Sequence, residues 1–296
     1  KVLLFLCSFV CLMTLFIFGA SAKDVKSNGF VYSVSGTTAT VKEYTGTAKS
    51  VKIPSKVGNA TVKKIGDEAF WSVKTMTSIT IPSTVTSIGK AAFNECTGLT
   101  KVVIPEKVTK IGSGAFWYCT NLKTVVFNAG LISLPDNTFY NCKNLTTVTI
   151  PESVTSIGGS AFKGCKSLTS INIPDAVTSI GDYAFYNCES ITSITLPEGI
   201  TKIEYETFRK CESLASVTLP ATVTSIERDA FHGCESLTSI TIPEGVTTIG
   251  KYAFSLCKNL TSITLPEGIT EIGYDIRNVF AWIDTTELQK LLIFML

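Results

Sequence analysis

The residues of this sequence that could do chemistry are few, and they recur in columns. Eight cysteines fall at Cys96, Cys119, Cys142, Cys165, Cys188, Cys211, Cys234 and Cys257, one every 23 residues. Evenly spaced thiols can form disulfides, hold a soft metal or pack as small hydrophobes. If successive repeats stack at the strand spacing of ~4.8 Å, equivalent cysteines come within disulfide range. Their side chains would then point the same way, however, whereas a disulfide needs converging Cβ vectors and a dihedral near ~90°. An inert thiol column is the expectation, with pairing left open. His232 is the single histidine and no C-x-x-C pair occurs, so no metal ligand set is expected. His232 also lacks a nucleophile to serve, and it fills a repeat position that is elsewhere aromatic or basic, which reads as a variable surface site.

That position follows a recurrent phenylalanine and runs Trp71, Asn94, Trp117, Tyr140, Lys163, Tyr186, Arg209, His232, Ser255. Its first half is aromatic and its second half basic, the residue types that dominate binding hot spots. Trp71, Trp117, Tyr140, Tyr186, Arg209 and His232 are therefore the candidate contact surface. A column of acids, Glu152, Asp175, Glu198, Glu244 and Glu267, could hold Ca²⁺ or do acid–base work, but Ala221 interrupts it and a solvated turn explains it. No phosphate-binding glycine motif is present. The expectation is no catalytic residue, no cofactor and no metal.

The elements that position these columns follow from the same period. Phenylalanines recur from Phe70 and Phe93 to Phe254, and prolines from Pro54 and Pro82 to Pro266, with Asn128 in the one gap. Within the unit Leu237–Asn259, Ile240-Thr241-Ile242 alternates as a short strand ended by Pro243, which cannot donate to a ladder. Val246 to Ile249 reads as a second extended piece, and Gly250 permits a turn. Tyr252 to Cys257 reads as a tight helical turn carrying Phe254 inward. One such unit cannot bury its apolar face, but stacked copies can, each column of like residues continuing through the core. The fold class expected is a β-rich repeat solenoid of about nine coils over 53–273, a rod or arc near ~45 Å long. Outward strand positions are mostly Thr and Ser, which suit strands and bond laterally. In one coil Asn128 and Pro135 replace the usual Pro and Gly, so a local irregularity is expected there. Glu204 and Glu227 also replace that Gly, which argues against an obligatory positive φ at the slot.

The unit L-x-x-I-x-I-P-x-x-V-x-x-I-G-x-x-A-F-x-x-C resembles the leucine-rich repeat of BspA-like surface proteins, over about three-quarters of the chain. The resemblance implies a right-handed leucine-rich-repeat superhelix, export, and attachment to host matrix proteins or other cells.

Both ends of the chain have their own readings. Val2 to Phe18 is apolar and leads into Ala20-Ser21-Ala22, so 1–22 reads as a signal peptide, the alternative being an uncleaved anchor and the only membrane contact. Residues 23–52 read as a polar leader followed by an N-terminal cap hairpin over Phe30 to Tyr44. After Gly273 the pattern stops, and 274–296 reads either as an amphipathic C-terminal cap or as a truncated tail. A balance of 26 Lys and Arg against 24 Asp and Glu, with no basic cluster, excludes a nucleic-acid footprint. The function expected is a non-catalytic, secreted or cell-surface protein binding extracellular proteins or glycans. The alternatives are a passive spacer in a larger surface protein and, more remotely, a carbohydrate-active enzyme built on a solenoid.

Overall fold

Each 23-residue repeat closes one coil of a β-solenoid, and the computed structural model describes residues 22–128 and 130–273 of the chain. A coil has three sides. The first is a short strand that stops at the proline slot, as in Lys101–Ile104 before Pro105, Thr124–Phe127 before Asn128 and Thr147–Thr149 near Pro151; the coil ending at Pro174 forms no strand on this side. These strands pair in parallel, Lys101 opposite Thr124 and Thr124 opposite Thr147. Val102, Val125 and Val148 point into the core while Lys101, Thr147 and Thr149 face solvent. The second side is a two-residue strand, such as Ser156–Ile157 or Ser179–Ile180, whose isoleucine is buried. Threonine hydroxyls stitch coil to coil by donating to a carbonyl of the coil before: Thr155 to Ile132, Thr178 to Thr155, Thr270 to Thr247.

The third side corrects the helical turn expected from the sequence. No helix is present among the described residues. Every coil instead places two residues in the left-handed region four positions apart, from Glu68 and Ser72 through Tyr183 and Asn187 to Tyr252 and Leu256. A left-handed residue at each fourth position breaks a right-handed helix. The amides it reorients are used elsewhere. Glu68, Phe70 and Ser72 donate to the carbonyls of Lys90, Ala92 and Asn94 one coil on, at 2.8–2.9 Å, and the same one-way ladder repeats along the rod. Inter-coil bonds thus offset a cost of ~1–2 kcal/mol per non-glycine left-handed residue.

Gly112 and Gly250, before this side, have no positive φ, in keeping with the glutamates at the equivalent slot. They lie so close to the preceding coil that an added Cβ would meet backbone at 2.3 and 2.4 Å. The coils carrying Glu204 and Glu227 accommodate a side chain at the same place.

The third side carries the core ladder. Rings from Phe70 to Phe254 stack with centroids 5.0–5.6 Å apart, each ring nearly parallel to the next. All nine are essentially inaccessible, and each contributes roughly 1.5–3 kcal/mol by burial.

At the N-terminal end, β1 (Lys23–Ser27), β2 (Phe30–Ser35) and β3 (Thr38–Tyr44) form an antiparallel meander. The residues read as a polar leader therefore lie in the sheet as its edge strand. The meander continues the aromatic column through Tyr44, 5.5 Å from Phe70, and Phe30, 4.8 Å from Tyr44. Tyr44 N–H also caps the carbonyl of Ala69. β4 (Ser50–Lys52) starts the first-side ladder, and β5 (Lys56–Val57) folds back on β6 (Ala60–Ile65), which accommodates the extra residues around Gly58. In the coil with Asn128 and Pro135 the second-side ladder restarts: Ser133–Leu134 pairs with the following coil, and the preceding sheet ends at Lys110–Ile111. Among the described residues no helix is long and apolar enough to cross a membrane. The signal-peptide reading of 1–22, save Ala22, and the cap or tail reading of 274–296 lie outside the described residues.

Candidate functional site

Because the third side is a ladder, residues equivalent by the 23-residue step become neighbours in space, as do residues three apart across each turn. Trp117, Tyr118 and Tyr140 form one aromatic group, with centroids 5.6–6.0 Å apart. Lys163 follows, its Nζ 5.9 Å from the Tyr140 ring, 4.4 Å from Tyr186 and 4.1 Å from Tyr183. Tyr183 stands edge-on to Tyr205 at 5.1 Å. The guanidinium of Arg228 lies 5.9 Å from both Tyr205 and Tyr252. The result is one continuous strip of rings and cations from Trp117 to Tyr252, six coil steps or ~29 Å long at the usual strand spacing. Burial raises the pKa of Tyr140, aided by Tyr118, and burial lowers that of Lys163 against the opposing pull of Glu206.

Beneath the C-terminal half of the strip lies a polar cluster. Asp229, its side chain only 3 % exposed, takes Arg209 Nη1 on Oδ1 at 2.5 Å and Arg228 Nε on Oδ2 at 3.0 Å. Glu206 Oε2 is 3.5 Å from Arg209 Nε. Nδ1 of His232 lies 3.2 Å from Asp229 Oδ1. Burial and then Arg209 hold His232 below its ordinary pKa, so the imidazole is neutral at physiological pH. This aspartate–histidine–arginine grouping is structural in its contacts: the carboxylate spends both oxygens on guanidinium groups.

The regular coil and its ladder agree with what is found in known proteins. The sequence model of the BspA type leucine rich repeat region, in six copies, matches residues 63–191 and 178–289. The chain belongs to this family. No curated protein matches the sequence. Among solved structures, a leucine rich cell surface protein from Faecalibacterium prausnitzii is 26 % identical, with a TM-score of 0.53 over 90 % of this chain and 98 % of that one. A leucine rich repeat protein of T. pallidum is also 26 % identical, with a TM-score of 0.53 over 73 % and 91 % of the two chains. The pneumococcal vaccine antigen PcpA, 20 % identical with a TM-score of 0.52 over 85 % and 87 %, shares the fold.

Within this BspA-type solenoid the six residues singled out from the sequence separate into three places. Trp117, Tyr140 and Tyr186 lie in the strip, joined through Lys163. Arg209 and His232 are turned inward onto Asp229. Trp71, 57 % exposed, stands apart over an open cleft of about 750 Å³ bounded by the N-terminal meander and by Asp67 and Glu68. Sequence reasoning missed Tyr118, Tyr183, Tyr205, Arg228 and Tyr252, because they belong to columns adjacent to the one followed. The available signal was the register of Tyr183 with Tyr252 and of Tyr205 with Arg228, large side chains at multiples of 23 residues in an otherwise Thr- and Ser-rich chain.

The cysteines all lie in the core as free thiols. Each Sγ donates to the phenylalanine carbonyl of the preceding coil, from Cys96 to Phe70 at 3.0 Å through Cys257 to Phe231 at 3.2 Å. Burial pushes Cys96, Cys211 and Cys257 up to about 12 and the other five well above their ordinary value. Glu152, Asp175, Glu198, Glu244 and Glu267 are exposed at the turn after the proline slot, and among the described residues no group of three or more His, Cys, Asp or Glu converges.

Proposed function

We propose that this BspA-type protein is an exported, cell-surface repeat protein without catalytic activity that binds extracellular macromolecules along its third side. The observation that carries this reading is the continuous strip from Trp117 to Tyr252. A scaffold with no recognition role has no reason to gather rings and cations on one side while its outward strand positions are mostly Thr and Ser. Tyrosine and tryptophan give large contact areas at low entropic cost, and they dominate binding energetics where they cluster. The cell-surface description of the Faecalibacterium protein supports the location proposed.

A binding screen of the full chain against extracellular matrix proteins and glycans tests the reading. At least one ligand is expected to bind, and the double change Trp117→Ala with Tyr140→Ala is expected to weaken it by about 2–4 kcal/mol, or about thirtyfold and more. Undiminished binding by that variant would remove the strip as the contact surface. Absence of any ligand would favour the second reading, a passive spacer, which the mostly Thr and Ser strand side suits.

A further inference from the structure

Lys163 is the unusual cation of the strip. It is half-buried among three tyrosine rings, and among the described residues its ammonium makes neither an ion pair nor a hydrogen bond. Its neighbour on the next turn, Lys166, by contrast reaches Glu189 at 2.6 Å. The acids near the strip do not complete Lys163. Asp229 is 3 % exposed and committed to Arg209 and Arg228, and the side chain of Glu206 is 11 % exposed beside Arg209. Glu206 pulls on Lys163 but is shared with Arg209, so this desolvated cation is only partly compensated. The surface is complementary to an anion at this point. Arg228, 58 % exposed between Tyr205 and Tyr252, supplies a second positive position three coils along, or ~14 Å away.

The backbone narrows what can carry that anion. On the third side successive amides and carbonyls are consumed in the coil-to-coil ladder, so an incoming peptide finds no free edge for strand addition. What the surface offers instead is ring faces in five of the seven coils from Trp117 to Tyr252, with the Lys163 ammonium and the Arg228 guanidinium in the other two. A sugar ring has an apolar C–H face to lay on an aromatic face and a rim of hydroxyls for those polar groups, and a linear polysaccharide advances by about one coil spacing per ring. We propose that the strip seats a linear acidic polysaccharide, its rings against the aromatic side chains and a carboxylate or sulfate on Lys163. This inference rests on the binding function proposed above and names its ligand class.

The test measures affinity of the full chain for heparin (sulfated), hyaluronan (carboxylated), dextran (neutral), poly-glutamate and the matrix-protein panel, at about 0.15 M salt. Heparin or hyaluronan is expected to bind, with dextran and poly-glutamate at least about tenfold weaker. Lys163→Gln and Tyr186→Ala are each expected to weaken binding by about tenfold, Lys163→Arg to retain most of it, and Lys101→Gln on the strand side to change nothing. Thermal unfolding reports whether each variant is folded, and Tyr186→Leu replaces Tyr186→Ala if the latter is not. Which polyanion binds distinguishes sulfate from carboxylate. Equal binding of dextran, tighter binding of poly-glutamate, or polysaccharide binding indifferent to Lys163→Gln each overturns the inference. Binding of a matrix protein but no polysaccharide overturns it while leaving the binding function standing. Binding of nothing in the panel overturns both.

Discussion

At the scale of single residues, the cysteine column shows how a chemically suggestive pattern is absorbed by structure. A phenylalanine carbonyl already accepts the amide of the cysteine three residues on in its own coil, as Phe116 does from Cys119. The thiol of the next coil's cysteine, here Cys142, supplies a second donor to the same oxygen. A disulfide would forfeit two such donors, and burial strongly disfavours the thiolate that would have to form it. Peptide-level mass spectrometry after alkylation at pH 8 is expected to find Cys96 through Cys257 unmodified in the folded protein and fully modified in denaturant. Substantial native labelling of Cys142 or Cys165 would contradict this account. The same shifts set a pH dependence. Folded pKa values raised above the unfolded 9.0 mean that the unfolded chain releases protons first. The stabilisation is thus complete below pH 9 and is lost as pH climbs from there towards about 12. The urea midpoint should be flat from pH 7 to 8.5 and fall beyond pH 9.

At the scale of the element, the third side is where sequence reading and structure part. A compact six-residue segment with buried Ala, Phe and Cys has the spacing of a helical turn, and that is how it reads. The left-handed positions are filled mostly by residues with no preference for them: Glu68, Ala91, Ser160 and Tyr183 in one column, Glu95, Lys210 and Leu256 in the other. Seven of the eighteen, Gly114, Asn137, Asn141, Gly164, Asn187, Asp229 and Gly233, carry a local signal. What selects the conformation is the neighbouring coil, which accepts three amide bonds from each turn. Such a tertiary cause is invisible in one repeat. If the left-handed backbone is strained at a non-glycine residue, Ser160→Gly should raise the unfolding free energy and Ser160→Val should lower it, each by about 1 kcal/mol. Opposite signs in thermal unfolding would mean that the turn relaxes in solution.

At the scale of the whole molecule, stability is a sum of coils and interfaces, since each coil touches only its neighbours and the aromatic meander closes one end. A central ring supports two interfaces. Phe162→Ala is expected to cost about 3–5 kcal/mol and to divide a single unfolding transition into two, because coupling between the halves runs through that rung. Hydrogen exchange should then show the coils beside residue 162 opening first. A single cooperative transition with uniform exchange would show that the strand ladders alone suffice for coupling. The sequence by itself determined the period, the solenoid, the buried columns, the strands before most of the prolines and the family. Those follow from repeat spacing and apolar alternation, which any one unit displays. It also pointed to Trp117, Tyr140 and Tyr186, since their column is a simple count of 23. Tertiary structure alone decided that the turn is left-handed, that Arg209 and His232 face Asp229, that Trp71 stands apart, and that Lys163 sits without an ion pair among tyrosines from several coils. These depend on side chains 20 or more residues apart meeting across a coil spacing, a contact that no local pattern encodes.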